Sequence, residues 1–271
     1  MTSPTALDTS GAAFRRDVAA RSTGGGVMMR YRTQLGLFGA AYLIYLAGRW
    51  VAAGQLGPAT EHARWIIDLE HSTGVAIERS VQHAFDAGAV MWLLSQIYLA
   101  AQLAVLPGSL IWLYRRAPAV YRRLRDTVLA TWLIAIPIYA LFPVAPPRLA
   151  GLGMSDAVSQ QAAVALTGRS TLFYNELAAV PSLHCGFAFA IGIALSAAAR
   201  HRATRAFWLL WGPVVSLAVV ATANHYVFDI AAGLLVSVLG YLAGPLPARW
   251  WQTRRRASTV VPTPRPELAP S

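Results

Sequence analysis

Six long apolar runs, separated by short arginine-bearing stretches, constrain this chain more than any other feature. They cover about 34–53, 87–113, 127–143, 181–199, 206–223 and 226–246. Crossing a hydrocarbon core takes about 20 predominantly apolar residues, fewer or more with tilt. Each run is near that length, the third being the shortest. Charged residues make up 13% of the chain, against about 25% in a typical soluble domain, and 56% of residues are hydrophobic. The expected fold is therefore all-α: a polytopic membrane bundle of about six transmembrane helices.

The net charge is +11, and every basic residue is arginine. With the N-terminus inside, eighteen of the 23 arginines fall on cytoplasmic segments; Arg49, Arg64, Arg79, Arg148 and Arg169 fall outside. Cytoplasmic loops carry the Lys/Arg excess. The expected location is the plasma (inner) membrane, with both termini cytoplasmic. A nucleic-acid partner is not expected, because the arginines sit at helix ends and form no basic patch with interleaved aromatics. Most tryptophans fall near the ends of the runs, as in an interfacial belt.

The chain divides into three regions: a disordered cytoplasmic tail over 1–32, a membrane domain over 33–247, and a basic disordered cytoplasmic tail over 248–271. A cleaved leader is not expected, because the first apolar run starts late and is long enough to span. The single cysteine, Cys185, excludes an intramolecular disulfide and a Cys/His zinc framework. Residues 54–86 alternate polar and apolar positions at helical spacing. They read as two short helices on the outer face, broken near Ser72-Thr73-Gly74. Residues 144–180 open with Pro146-Pro147 as a rigid, non-helical turn.

Polar residues collect at one face, at the outer ends of runs three to six: Arg148, Ser182, His184, Asn224, His225 and Asp229. Ionisable groups at the rim of a membrane bundle are costly and mark function by default. On a helix, His225 and Asp229 would share a face. The carboxylate could then take the Nδ1–H, leaving Nε2 as nucleophile or base; equally, the pair could simply tie a helix end. Pro181-Ser182-Leu183-His184 opens a helix whose free N–H groups suit an anion, or is an ordinary helix start. Arg148 can fork a phosphate or snorkel to the interface. His62, His71, His83 and His201 read as surface residues, with no helical metal pair among them.

The combination is more specific than its parts. Arg148, the PSxH sequence at Pro181–His184 and the HxxxD sequence at His225–Asp229 resemble the type 2 phosphatidic acid phosphatase (PAP2) superfamily, over roughly 142–233. The stretches FPVAPPR (142–148), PSLHCG (181–186) and NHYVFD (224–229) look most like its inositolphosphotransferase branch, which includes inositol phosphorylceramide synthases. The resemblance implies an enzyme with catalytic His225, His184 and Asp229. His225 would be the nucleophile, forming a phosphohistidine. Asp229 would support it, and His184 would move protons. Ser182 and Arg148 would be phosphate-binding. No metal and no cofactor is implied, and the partner is a phospholipid or polyprenyl-phosphate substrate.

The chain departs from the phosphatase pattern where two cations are expected, at Leu141 and Val219. Fewer fixed charges suit a monoanionic diester donor, with an inositol-phosphate-type group passing to an alcohol acceptor. Arg169 could supply one missing charge, or be a solvated loop residue. Plain hydrolysis of phosphatidic acid or a polyprenyl pyrophosphate is the alternative. An inactive lipid-binding or transport protein is the alternative of another class. Vanadate-haloperoxidase chemistry uses a similar pocket, but in soluble proteins.

Overall fold

A computed structural model describes residues 31–52, 55–161 and 177–244. The two tails therefore lie outside the described residues, except Tyr31 and Arg32, which are already helical; so do Arg169 and the end of the sixth run. The chain divides into two compact units, 1–39 and 40–271. Helix α1 (Tyr31–Ala52) runs across that boundary, and every later helix belongs to the second unit.

The outer segment forms two helices, α2 (Leu56–Thr73) and α3 (Glu78–Ala84). Gly74 ends α2 with φ of 73°, a left-handed cap that glycine adopts without strain. This matches the expected break. Next come α4 (Gly88–Ala100), a π-helical turn at Ala101–Val105, and α5 (Leu106–Arg116). Ala117 breaks the chain, and Pro118 opens α6 (Pro118–Leu141), where a missing N–H costs nothing. A short α7 (Ala157–Gln161) precedes α8 (Leu183–Ala198), α9 (Arg202–Leu209), α10 (Trp211–Ala221) and α11 (Val227–Ala243).

Among the described residues, three helical stretches are long and apolar enough to cross a membrane: Gly88–Arg116, Pro118–Leu141 and Arg202–Ala221. Shorter apolar helices at Thr33–Ile44, Leu183–Ala198 and Val227–Ala243 fall in the first, fourth and sixth runs. The third run differs from its expected bounds. Its helix starts at Pro118, so Arg122, Arg123 and Arg125 lie on its first turns. Arginine is a good helix former, and here Arg125 pairs with Asp126 at 2.6 Å while Arg123 lies over the Tyr241 ring at 3.6 Å. Charge alone therefore did not end the helix.

Helix α8 packs against α6, α9, α10 and α11. Two glycines set its approach to α11. A Cβ at Gly186 would meet the Gly233 carbonyl oxygen at 2.7 Å, and one at Gly233 would collide with the Ser182 carbonyl. Ser237 Oγ donates to the Gly186 carbonyl at 2.9 Å across the same seam. Short links at Ala117, at 199–201 and at 222–226 reverse the chain between successive long helices. The C-terminal end of α6 and the N-terminal ends of α8 and α11 therefore meet at one end of the bundle. The arginines at 115–125 and 200–205 gather at the other.

Candidate active site

The loop after α6 and the loop before α8 are joined backbone to backbone. Val144 N–H donates to Leu177 O at 2.8 Å, and Ala179 N–H to Val144 O at 3.3 Å. Ala145 N–H reaches Ala59 O on α2 at 3.0 Å, and Arg148 N–H reaches Ala223 O at 3.1 Å. Beneath these links lies a core of Ala59, Ala63, Ile66, Val144, Ala145, Val180 and Tyr226. Four segments far apart in sequence are thereby fastened into one floor.

Arg148 sits in a 3₁₀ turn, Pro147–Leu149, rather than in irregular chain. Its side chain is 4% exposed, and the guanidinium donates to Asn224 Oδ1 at 2.5 Å and lies 3.4 Å from Asp156 Oδ2. Asn224 in turn donates to Thr222 Oγ1 at 2.9 Å. Arg148 is therefore anchored through the residue next to His225, and its charge acts on that imidazole.

The HxxxD spacing places His225 on a helix with Asp229, but His225 lies outside it. It precedes α11, in a turn where Ala223 has φ of 56°. A non-glycine residue in the left-handed region is strained. Here it lets Asn224 and His225 both donate backbone N–H to Val219 O, at 3.0 and 3.2 Å. The expected His–Asp contact forms all the same: His225 Nδ1 lies 3.2 Å from Asp229 Oδ2 and 2.9 Å from Ala179 O. The Ala179 carbonyl can only accept, so Nδ1 carries the proton and Nε2 is the unprotonated nitrogen of the neutral ring. Asp229 is fully buried, and its Oδ2 also accepts Tyr226 N–H at 2.9 Å.

Ser182 caps α8, with its Oγ accepting Cys185 N–H at 3.4 Å and its own N–H donating to Asp229 O at 3.0 Å. Pro181 lies just outside the helix, not in its first turn. Its carbonyl accepts the Tyr139 hydroxyl at 2.6 Å. His184, in the first turn of α8, stacks on Tyr98 of α4 at 4.2 Å between ring centroids, and its ring lies 5.8 Å from that of His225.

The structure thus brings Arg148, Ser182, His184, His225 and Asp229 to one end of the bundle. Leu141 is 82% exposed and Val219 is fully buried in the core, so neither position holds a cation at the site. His62 is not a free surface residue. It is half-buried, stacks on Phe142 at 3.9 Å, and its Nδ1 donates to Pro143 O at 2.7 Å.

Four contributors carry no signature in the sequence patterns: Tyr98, Tyr139, Glu70 and Glu78. The carboxyls are both buried. Glu78 Oε1 accepts Val227 N–H at 3.0 Å, and Glu70 Oε1 accepts Phe228 N–H at 2.7 Å. Burial, the Glu78 charge and the hydrogen bond that protonated Glu70 donates to the Glu78 side chain push Glu70 up to about 8, against the opposing pull of the Phe228 N–H. Acidic residues are scarce here, twelve in all. Two of them on the inward positions of an outer segment were the available signal.

The described helices include three of membrane-spanning length, and at one end of the bundle two imidazole rings lie 5.8 Å apart with the buried Arg148 side chain anchored beside them. A family model described as the PAP2 superfamily matches residues 64–243, a stretch that includes Arg148, Ser182, His184, His225 and Asp229. The chain belongs to the PAP2 superfamily, and that membership points to a phosphatase-type activity. No curated protein and no solved structure matches the chain.

Proposed function

We propose that this protein cleaves a phosphate ester of a lipid through a covalent phosphohistidine at His225. The observation that carries the reading is the fixed tautomer of His225, with the His184 ring 5.8 Å away. In the first step the Nε2 lone pair forms a bond to phosphorus and the bond to the lipid oxygen breaks. His184, protonated at that point, passes its proton to the leaving oxygen. In the second step His184 takes a proton from water or an alcohol, whose oxygen displaces His225 from phosphorus. Asp229 supports the cationic ring through Nδ1. Arg148, Ser182 and the open N–H groups at the start of α8 offer donors to phosphoryl oxygens. These side chains and the substrates balance every bond and proton, so the scheme calls for no metal or cofactor.

The arginine distribution supports placing this end of the bundle at the extracytoplasmic face, with six spans and both termini cytoplasmic. The substrate is then a phospholipid or polyprenyl phosphate of the outer leaflet. Leu141 and Val219 favour a second reading, in which a monoanionic diester donates an inositol-phosphate-type group to an alcohol. Purified protein given a panel of lipid phosphates, with and without alcohol acceptors, separates the two. Phosphate release without acceptor marks a phosphatase, and product only with a diester donor and acceptor marks a transferase. Turnover equal to that of a His225→Ala variant would leave only a lipid-binding or transport protein.

A further inference from the structure

The start of α11 is capped in an unusual way. An ordinary helix is capped by its own neighbouring side chain. Here three successive N–H groups, those of Tyr226, Val227 and Phe228, go to three different carboxyls: Asp229, Glu78 and Glu70. Two of these lie 149 and 158 residues away in the chain, on α3 and α2. They are 6% and 2% exposed, a rare burial for glutamate. Tyr226 is held from the other side, its hydroxyl donating to Ala145 O at 3.1 Å.

The partial positive charge of a helix N-terminus favours one nearby anion. Three buried carboxylates would repel one another. The groups bearing on Glu70 are Glu78 from α3, and Asp229 and the Tyr226 phenol from α11 and the residue before it, all acidic. Asp229 is engaged by His225, on which Arg148 acts. A proton held between Glu70 and Glu78 removes one charge and ties the two carboxyls together.

We propose that Glu70 and Glu78 share one proton and are positioning residues, clamping the first turn of α11 so that His225 and Asp229 stay in register with His184. They touch no reacting atom. The outer segment 55–86 is in this view part of the catalytic frame. The inference rests on the phosphohistidine reading for its effect on turnover, but its proton is testable without turnover.

The direction of the pH effect comes from the protonation states. Unfolded, Glu70 titrates near 4.5; folded, it holds its proton to about 8. The folded state binds the extra proton between those values, so stability is full below about 4.5, falls as pH rises and levels off above about 8. Glutamine at 70 keeps an acceptor for Phe228 N–H and a donor toward Glu78, and cannot ionise.

The test compares full-length wild type, Glu70→Gln and Glu70→Ala in nanodiscs. Melting temperature is read from pH 5 to 9, and kcat and KM from pH 6 to 9 on a lipid phosphate the wild type turns over, the intervals bracketing the 4.5-to-8 window. Glu70→Gln is expected to keep kcat within about threefold, to lose the wild type's alkaline fall near pH 8 and to flatten the melting profile. Glu70→Ala is expected to lose kcat about tenfold or more, with KM within about twofold. Identical melting and kcat profiles for wild type and Glu70→Gln would overturn the shared proton. If the wild type turns over nothing, the phosphohistidine reading fails, and the melting profiles alone decide the proton.

Discussion

The two ends of the bundle handle polarity in opposite ways. At the site end Glu70, Glu78, Ser182, Asn224, His225 and Asp229 are buried, and each bonds to a specific backbone or side-chain group. At the other end Arg115, Arg116, Arg122, Arg200, Arg202 and Arg205 are exposed. Arg116 and Arg200 there line an open cavity with Trp112, His201 and Trp208. A buried ionisable group must be paired in a fixed geometry or it costs several kcal/mol. An exposed arginine keeps its hydration and contributes little through any one pair. Charge at the site end is thus tied to position. At the other end, total charge is what matters.

Replacements should separate the ends sharply. His225→Ala removes the proposed nucleophile and is expected to lower kcat by about 10⁴-fold or more, measured by lipid-phosphate turnover. His184→Ala and Asp229→Asn should each cost about 10²- to 10⁴-fold in kcat, the first by loss of proton transfer, the second by removing the anion that supports the cationic His225 ring. Gly233→Ala drives a methyl into the Ser182 carbonyl and should cost about 1–3 kcal/mol of stability, seen as a lowered melting temperature. Leu141→Lys puts a cation near the site end, where it should raise monoester over diester turnover a few-fold, about 1 kcal/mol of differential binding. Arg200→Gln, at the far end, should leave kcat within about twofold. A tenfold loss there would break the contrast.

Legibility in the sequence divides along the same line. Long apolar runs are a one-dimensional signal, so apolar helices were legible, three of them of membrane-spanning length among the described residues, as was the break at Gly74. The residues that the fold gathers at one end, Arg148, Ser182, His184, His225 and Asp229, were legible because each belongs to a short local pattern. What escaped depends on contacts across the fold. Glu70 and Glu78 sit in a segment that reads as an interfacial pair of helices; only folding brings their carboxyls to Val227 and Phe228. Likewise Tyr98 looks like one more aromatic of an apolar run until α4 lies against α8. His62 reads as a surface histidine because nothing local announces Phe142 and Pro143 as its partners. The helix bounds of the third run were hidden because arginines read as stops, although they propagate a helix well.

The most direct measurement is rapid quenching of the purified protein during turnover of a lipid phosphate, under alkaline conditions that preserve phosphohistidine, followed by peptide mass spectrometry. A phosphoryl group, or a substituted phosphoryl group if the donor is a diester, should be found on His225 and be absent from the His225→Ala protein. Turnover with no adduct on His225, or with the adduct on His184, would contradict the mechanism.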